Sequence, residues 1–224
     1  MNSPRALIFD LDGTLTDSAP AIGRALNRLW ADMQRAPIPQ VAIRGYIGDG
    51  PAALIKCARR DSGLEPDPVA EQAEANEFLR IYAEDGPGGE IFPGAIEVCE
   101  ELVSAGLELA VCTNKPQDAA WRLLSMLGLA PFLVGCVGGD AAPLRKPDPA
   151  HVFETLKLFN NIAPSQALMV GDGLQDVAAA EAAGVNVIVA SYGYGGVSTA
   201  RPDLPSIKTI RDLPELLELK RDKP

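Results

Sequence analysis

The chain has 224 residues, 47% of them apolar, and a formal net charge of −10. That length suits one α/β domain, or a core with a smaller insert, with enough apolar residues for a sizeable core. The acidity argues against a general nucleic-acid binder, since phosphate backbones attract basic faces, but leaves room for a small anionic substrate in a locally charged cleft. The first element is an apolar run, Ala6-Leu7-Ile8-Phe9, that reads as a buried strand. It leads directly into Asp10-Leu11-Asp12-Gly13-Thr14. If strand geometry holds through Leu11, Asp10 and Asp12 share one side and Leu11 faces the other. Two such charges about 4 Å apart repel by roughly 4 kcal/mol at an effective dielectric near 20. A divalent cation with oxygen ligands resolves the conflict, which predicts a metal site at the carboxyl end of a central strand.

Thr16-Asp17-Ser18-Ala19-Pro20 then reads as a turn and helix start, and Ile22, Ala25, Leu26, Leu29, Trp30 and Met33 follow helical spacing. Ala36-Pro37-Ile38-Pro39 ends that helix, and a short segment from Val41 to Ile47 follows. Further helices are expected over Pro51–Arg60 and Asp67–Glu84. Between about Asp17 and Asp85 no convincing strand is found. Gly86-Pro87-Gly88-Gly89 reads as a flexible junction.

From Ile91 helices and strands alternate. Helices are expected at Gly94–Ala105, Asp118–Leu127, Ala150–Phe159, Gln175–Ala183 and Leu213–Leu219, with a frayed charged tail beyond. Strands are expected at Leu107–Cys112, Leu133–Val137, Ala167–Val170 and Val185–Ala190. Such alternation requires a parallel sheet with right-handed crossovers. The fold class is therefore α/β, a Rossmann-like parallel sheet core with an inserted α-helical cap domain. Residues 1–16 and 87–224 form the expected core and residues 17–86 the cap. Cap opening would use two hinges, near Asp17 and at Gly86–Gly89.

Cys57, Cys99, Cys112 and Cys136 are widely spaced, form no CxxC pair and read as reduced thiols, which suits the cytoplasm. No apolar run approaches a membrane span, and the amino terminus shows no signal-peptide pattern. The single histidine, His151, argues against a histidine-rich metal site or a Ser-His-Asp triad, and reads as a surface residue early in a helix.

The polar clusters all follow strands: Asp10 and Asp12; Thr113 and Asn114; Lys146; Asp172 and Asp176. In a parallel sheet these ends share one edge and can converge. Singly, each has a plain reading: Asp172 as a turn former, Asp176 as a helix-start charge, Lys146 as a solvated loop lysine, Thr113-Asn114 as a helix cap. Together they supply carboxylates for a hard cation, hydroxyl and amide donors and one ammonium, the needs of phosphoryl transfer.

Asp10-Leu11-Asp12-Gly13-Thr14, Thr113-Asn114, Lys146-Pro147-Asp148-Pro149 and Gly171-Asp172 with Asp176 resemble, in order, the four motifs of the haloacid dehalogenase-like hydrolases. The resemblance spans essentially the whole chain. It implies that Asp10 is the nucleophile, forming an aspartyl-phosphate, and that Asp12 is acid to the leaving oxygen and then base to water. It implies Mg²⁺ on the Asp10 side chain, the Asp12 backbone carbonyl and Asp172, with Asp176 orienting the metal's waters. Thr113, Asn114 and Lys146 would bind the phosphoryl oxygens, with N–H groups near Gly13 and Thr14. Gly173 departs from the pattern, standing where serine or threonine is common, but no ligand role rests on that side chain.

Asp12 favours a phosphatase over a dehalogenase, which typically lacks the second aspartate of the first motif. A sugar-phosphate mutase of the beta-phosphoglucomutase kind, another phosphomonoesterase or pyrophosphatase, and a non-catalytic phospholigand-binding module stay open. Arg44-Gly45-Tyr46-Ile47-Gly48-Asp49-Gly50-Pro51 resembles the cap segment of phosphoglycolate phosphatases, making phosphoglycolate the expected substrate. Arg44 or Lys56 is expected to supply charge for its carboxylate, with helix-start N–H groups near Pro51, unless both are solvated surface residues. The expected partners are a small phosphorylated metabolite, no nucleic acid and no membrane, in a monomer or homodimer. Tyr192-Gly193-Tyr194-Gly195 reads as a mobile turn that can border the cleft.

Overall fold

A computed structural model of the chain describes residues 4–86 and 88–219. Pro87, within the expected junction, and the expected frayed tail after Leu219 lie outside the described residues. The elements run β1 (Ala6–Phe9), β2 (Thr16–Asp17), α1 (Ala19–Asp32), α2 (Gln40–Arg44), α3 (Pro51–Asp61), α4 (Pro68–Glu84) and β3 (Glu90–Ile91). Then come α5 (Ala95–Ser104), β4 (Glu108–Cys112), α6 (Gln117–Met126), β5 (Gly135–Val137), α7 (Pro149–Leu156), β6 (Ala167–Gly171) and α8 (Leu174–Ala182). The chain closes with β7 (Asn186–Ala190), α9 (Val197–Ala200), β8 (Ser206–Ile207) and α10 (Leu213–Leu216).

Six strands form one parallel sheet in the order β5-β4-β1-β6-β7-β8. Strand β1 lies between β4 and β6, where the chain changes direction across the sheet, and open α/β sheets bind ligands at the carboxyl ends around such a point. The strand alternates between two cores. Leu7, Phe9 and Leu11 pack with Val98, Leu102, Leu123 and Leu124 of α5 and α6. Ala6 and Ile8 pack with Val152 and Val177 of α7 and α8. A one-residue slip would exchange these faces, so the register is held by both helical layers. Leu11 continues the Leu7–Phe9 face, as expected when Asp10 and Asp12 turn to the other side.

The helices between β2 and β3 have an apolar cluster of their own, including Ile22, Leu26, Trp30, Ile43, Leu54, Ile55, Phe78 and Ile81. Their ends follow local rules. Pro51 starts α3 at a position that lacks an intrahelical N–H partner. The Asp67 carboxylate caps α4 by accepting from the N–H groups of Val69 and Ala70, both at 3.1 Å.

Several elements differ from the sequence reading. Asp17, within the stretch where no strand is expected, belongs to β2, which pairs antiparallel with β3 through Thr16 with Ile91 and Asp17 with Glu90. A two-residue strand has no readable periodicity. Strand β5 begins at Gly135 rather than Leu133, because Ala130–Phe132 forms a 3-10 turn just before it. Helix α7 ends at Leu156 rather than Phe159. The short α9 and β8 had no expectation attached.

Candidate active site

The first motif leaves β1 through a tight turn. Asp10 is anchored by its N–H, which donates to the Val170 carbonyl at 2.9 Å on neighbouring β6. Lys146, from the loop before α7, donates to Asp10 Oδ1 at 2.9 Å, Asp176 Oδ1 at 2.6 Å and the Cys112 carbonyl at 2.5 Å. Three acceptors match the three hydrogens of the ammonium. The Lys146 side chain is 1% exposed and Asp176 is 0% exposed. Burial opposes the Lys146 charge, but Asp10 and Asp176 overturn that and hold its pKa above the ordinary lysine value.

Asp172, at the end of β6, accepts from the N–H groups of Tyr194 at 2.6 Å and Gly195 at 3.2 Å, and from the Thr14 hydroxyl at 3.2 Å. Asp176 also accepts from the Gly173 N–H at 2.9 Å, closing the first turn of α8. Gly13 has φ +93°, and a Cβ there would collide with the Asp172 carboxylate, so this turn needs glycine twice over.

The carboxylates of Asp10, Asp172 and Asp176 each offer one oxygen within 4.8 Å of the others, all buried. Burial pushes the Asp10 carboxyl up to about 8, against the pull of Lys146 and with the push of Asp176 and Asp172. Burial and Asp176 push Asp172 up to about 7, against its three hydrogen bonds. Three ionised carboxylates beside one ammonium leave two negative charges without a partner. A divalent cation with a preference for oxygen fits this donor set in charge and chemistry.

Asp12 stands in a separate pair. Its Oδ1 accepts from Ser18 Oγ at 2.5 Å, and Lys115 Nζ lies 3.0 Å from both of its carboxylate oxygens. The Lys115 ammonium also sits 4.9 Å from the centre of the Tyr82 ring. Burial opposes its charge, but Asp12 and Tyr82 raise its pKa above the ordinary value. Asp10, Asp12, Thr113, Asn114 and Lys115 line one cavity together with Ile22, Tyr46, Leu54, Phe78, Leu79 and Tyr82, and with Gly48, Gly50 and Pro51 at the start of α3. Of the acid cluster only Asp10 lines it.

The fold brings Asp10, Asp12, Thr113, Asn114, Lys146, Asp172 and Asp176 to one sheet edge, though not all with open donors. The side-chain amide of Asn114 donates to the carbonyls of Gly48 at 2.8 Å and Lys146 at 2.9 Å, so it ties two loops together. The N–H groups of Gly13 and Thr14, expected near the phosphoryl group, instead close the turn onto Thr16 at 2.8 Å and Leu11 at 3.3 Å. Arg44 donates to Asp17 at 2.9 Å and stacks 5.3 Å from the Tyr194 ring centre, and Lys56 is exposed on α3. Neither lines the cavity.

His151 is not on the surface. It is fully buried, its Nδ1 accepting from the Lys146 N–H at 3.2 Å and its Nε2 lying 3.1 Å from the Val137 carbonyl. These contacts define a neutral ring with hydrogen on Nε2. Burial and the nearby Lys146 charge push its pKa down to about 4, so the ring fixes the Lys146 loop. The reading of Tyr192–Gly195 as a mobile turn also needs correcting. Its amides hold Asp172, and the Tyr192 hydroxyl donates to the Thr14 carbonyl at 2.7 Å. Lys115 was not anticipated at all. The usable signal was its place beside Thr113-Asn114, in the same strand-end loop.

Comparison with known proteins agrees with this geometry. A sequence model of the haloacid dehalogenase-like hydrolases matches residues 4–184. A phosphoglycolate phosphatase of Rhodospirillum rubrum is 44% identical over 196 residues, spanning 85% of this chain and 81% of its own. One of Pseudomonas putida is 36% identical over 217 residues, spanning 96% and 79%. A crystal structure of a predicted phosphoglycolate phosphatase from Haemophilus somnus superposes with a TM-score of 0.86 at 27% identity, covering 96% of this chain and 99% of that one.

Proposed function

The chain belongs to the haloacid dehalogenase-like hydrolases and is a phosphatase, and from that premise we propose that it hydrolyses 2-phosphoglycolate with Mg²⁺ as its metal. The observation that carries the reading is the placement of Asp10 and Asp12 together on one cavity at the sheet edge, with Lys146 bonded to Asp10. The named activity of the relatives supports the substrate.

In this reading an Asp10 carboxylate oxygen attacks phosphorus. The bond from phosphorus to the leaving oxygen breaks, and Asp12 gives that oxygen its proton. Asp12 then takes a proton from the water that attacks the Asp10 acyl phosphate, releasing inorganic phosphate and restoring Asp10. Lys146 holds Asp10 in place and offsets part of its charge. The Thr113 hydroxyl and the Asn114 loop bind the non-reacting oxygens. Asp10, the Asp12 carbonyl and Asp172 would hold the metal, with Asp176 orienting its waters; when bound it supplies positive charge to the phosphoryl oxygens.

We assign residues 17–86 as a helical cap on the remaining core, a division supported by their separate apolar cluster. Cytoplasmic location is part of the proposal, supported by four free cysteines. No helix among the described residues is long and apolar enough to cross a membrane. The test is steady-state hydrolysis of a phosphorylated-metabolite panel with Mg²⁺. Phosphoglycolate should show the highest kcat/KM, and Asp10→Asn should abolish turnover. A different metabolite preferred tenfold or more would overturn the substrate assignment.

A further inference from the structure

We infer that Lys115 is the residue that recognises the carboxylate of the substrate, which makes the cavity selective for phosphate esters of a two-carbon 2-hydroxy acid. The inference rests on the phosphatase reading above and assigns the specificity of that same site.

Among the described residues lining the cavity, Lys115 is the only cation; the other charged members are Asp10 and Asp12. Apart from Gly48, Gly50 and Pro51 at the start of α3, the facing residues are apolar or aromatic, and a carboxylate among them without a positive partner is strongly penalised. Two of the nearby cations are committed elsewhere, and a third, Arg145, lies behind Gly50 and does not line the cavity. Lys146 uses its three hydrogens on Asp10, Asp176 and the Cys112 carbonyl. Arg44 is paired with Asp17 outside the cavity. Lys115 is held between the Asp12 carboxylate and the Tyr82 ring, on the cavity wall itself, so a substrate carboxylate reaches it by sharing the ammonium with Asp12.

The spacing also selects length. Lys115 Nζ lies 3.0 Å from both oxygens of Asp12, the group that must reach the ester oxygen of the leaving group. In a glycolate ester, ordinary bond lengths put the ester oxygen about 3 Å from the carboxylate oxygens. A leaving group bonded to Asp12 through its ester oxygen therefore delivers its carboxylate to the ammonium beside it. A longer chain carries the carboxylate farther from the ester oxygen than the 3.0 Å that separates Lys115 from Asp12.

The test compares kcat/KM for 2-phosphoglycolate and ethyl phosphate, with Mg²⁺, in the wild type, Lys115→Met and Lys115→Arg. The two esters share a two-carbon chain and differ in the carboxylate. The wild type should prefer phosphoglycolate. Both esters share the loss of the Asp12 partner, so the preference is the readout: Lys115→Met should lose about 10- to 100-fold more on phosphoglycolate than on ethyl phosphate, the difference lying in KM, while Lys115→Arg keeps part of it. Ethyl phosphate turnover shows that the variant has folded; if Lys115→Met does not fold, Lys115→Gln replaces it. Equal losses on both esters would mean that Lys115 serves only Asp12, and would overturn the inference alone. A wild type indifferent to the carboxylate would overturn the phosphoglycolate reading itself.

Discussion

Two buried ionic clusters, one at the sheet edge and one among the inserted helices, show what separates chemistry from architecture in this molecule. In the helices, Glu74 Oε1 accepts from Arg59 at 2.6 Å and Arg35 at 2.8 Å. Glu74 Oε2, Arg59 Nε and Arg35 Nη1 are buried without partners. At the sheet edge Lys146 is fully bonded, yet Asp10, Asp172 and Asp176 leave negative charge in excess. The helical cluster lies within the insertion, carries a net positive charge and sets how α3 and α4 pack. The edge cluster reaches the cavity through Asp10 and calls for a cation. Unsatisfied polar atoms alone therefore do not mark the reactive centre; here it is the excess negative charge beside the Asp10–Asp12 cavity that does.

Lys146→Met is the harshest challenge to this contrast. It strips the partner from two buried carboxylates, so kcat should fall about 100- to 1,000-fold and stability by about 3 kcal/mol, read from steady-state rates and urea denaturation. Normal turnover in that variant would break the comparison. Metal removal comes next. Asp10 and Asp172 titrate in the folded state near 8 and 7, above their ordinary 3.8. The folded chain then holds protons that the unfolded chain has released, so chelated protein should lose stability as pH rises from 3.8 toward 8. The slope reaches about 1.4 kcal/mol per pH unit for each carboxyl. Thermal melts with EDTA should show it, and Mg²⁺ should flatten it.

Glu74→Gln sharpens the other side. It leaves Arg59 buried without a counter-charge, and a loss of about 3 kcal/mol in urea denaturation is expected. At temperatures where the variant stays folded, kcat should stay within about twofold of wild type. Arg44→Ala and Lys56→Ala should do least. The Arg44–Asp17 pair is exposed enough to contribute at most about 1 kcal/mol. KM for phosphoglycolate should stay within about twofold in both variants. A tenfold rise in either would move the carboxylate-binding charge from Lys115 to the helices.

Much of the edge cluster was legible because its residues are side chains at the ends of apolar strands. Asp10 and Asp172 each follow a short apolar run that reads as a strand, and Lys146 lies in the loop after another. Leu11, packed with Leu7 and Phe9, shows that the alternation extends beyond the strand into the turn. What escaped has a common physical origin. Tyr194 and Gly195 act through backbone N–H groups, which every residue type but proline carries. His151 is buried by contacts with Lys146 and Val137 backbone atoms, and no local pattern records that approach. Lys115 looks like any lysine at a helix start until Tyr82, contributed by α4, is laid across it. Two-residue β2 and β3 are too short for any periodic signal.

That small ribbon has a wider meaning. By pairing Asp17 with Glu90 it makes the departure and return of the helical insertion immediate neighbours. Everything between them is, to the sheet, a single long loop tied off at its neck. Such an appendage can be lengthened, exchanged or trimmed to a tight turn while the strand order and the acid cluster stay as they are. The ribbon is thus the seam at which the helices between β2 and β3 leave the sheet and return to it.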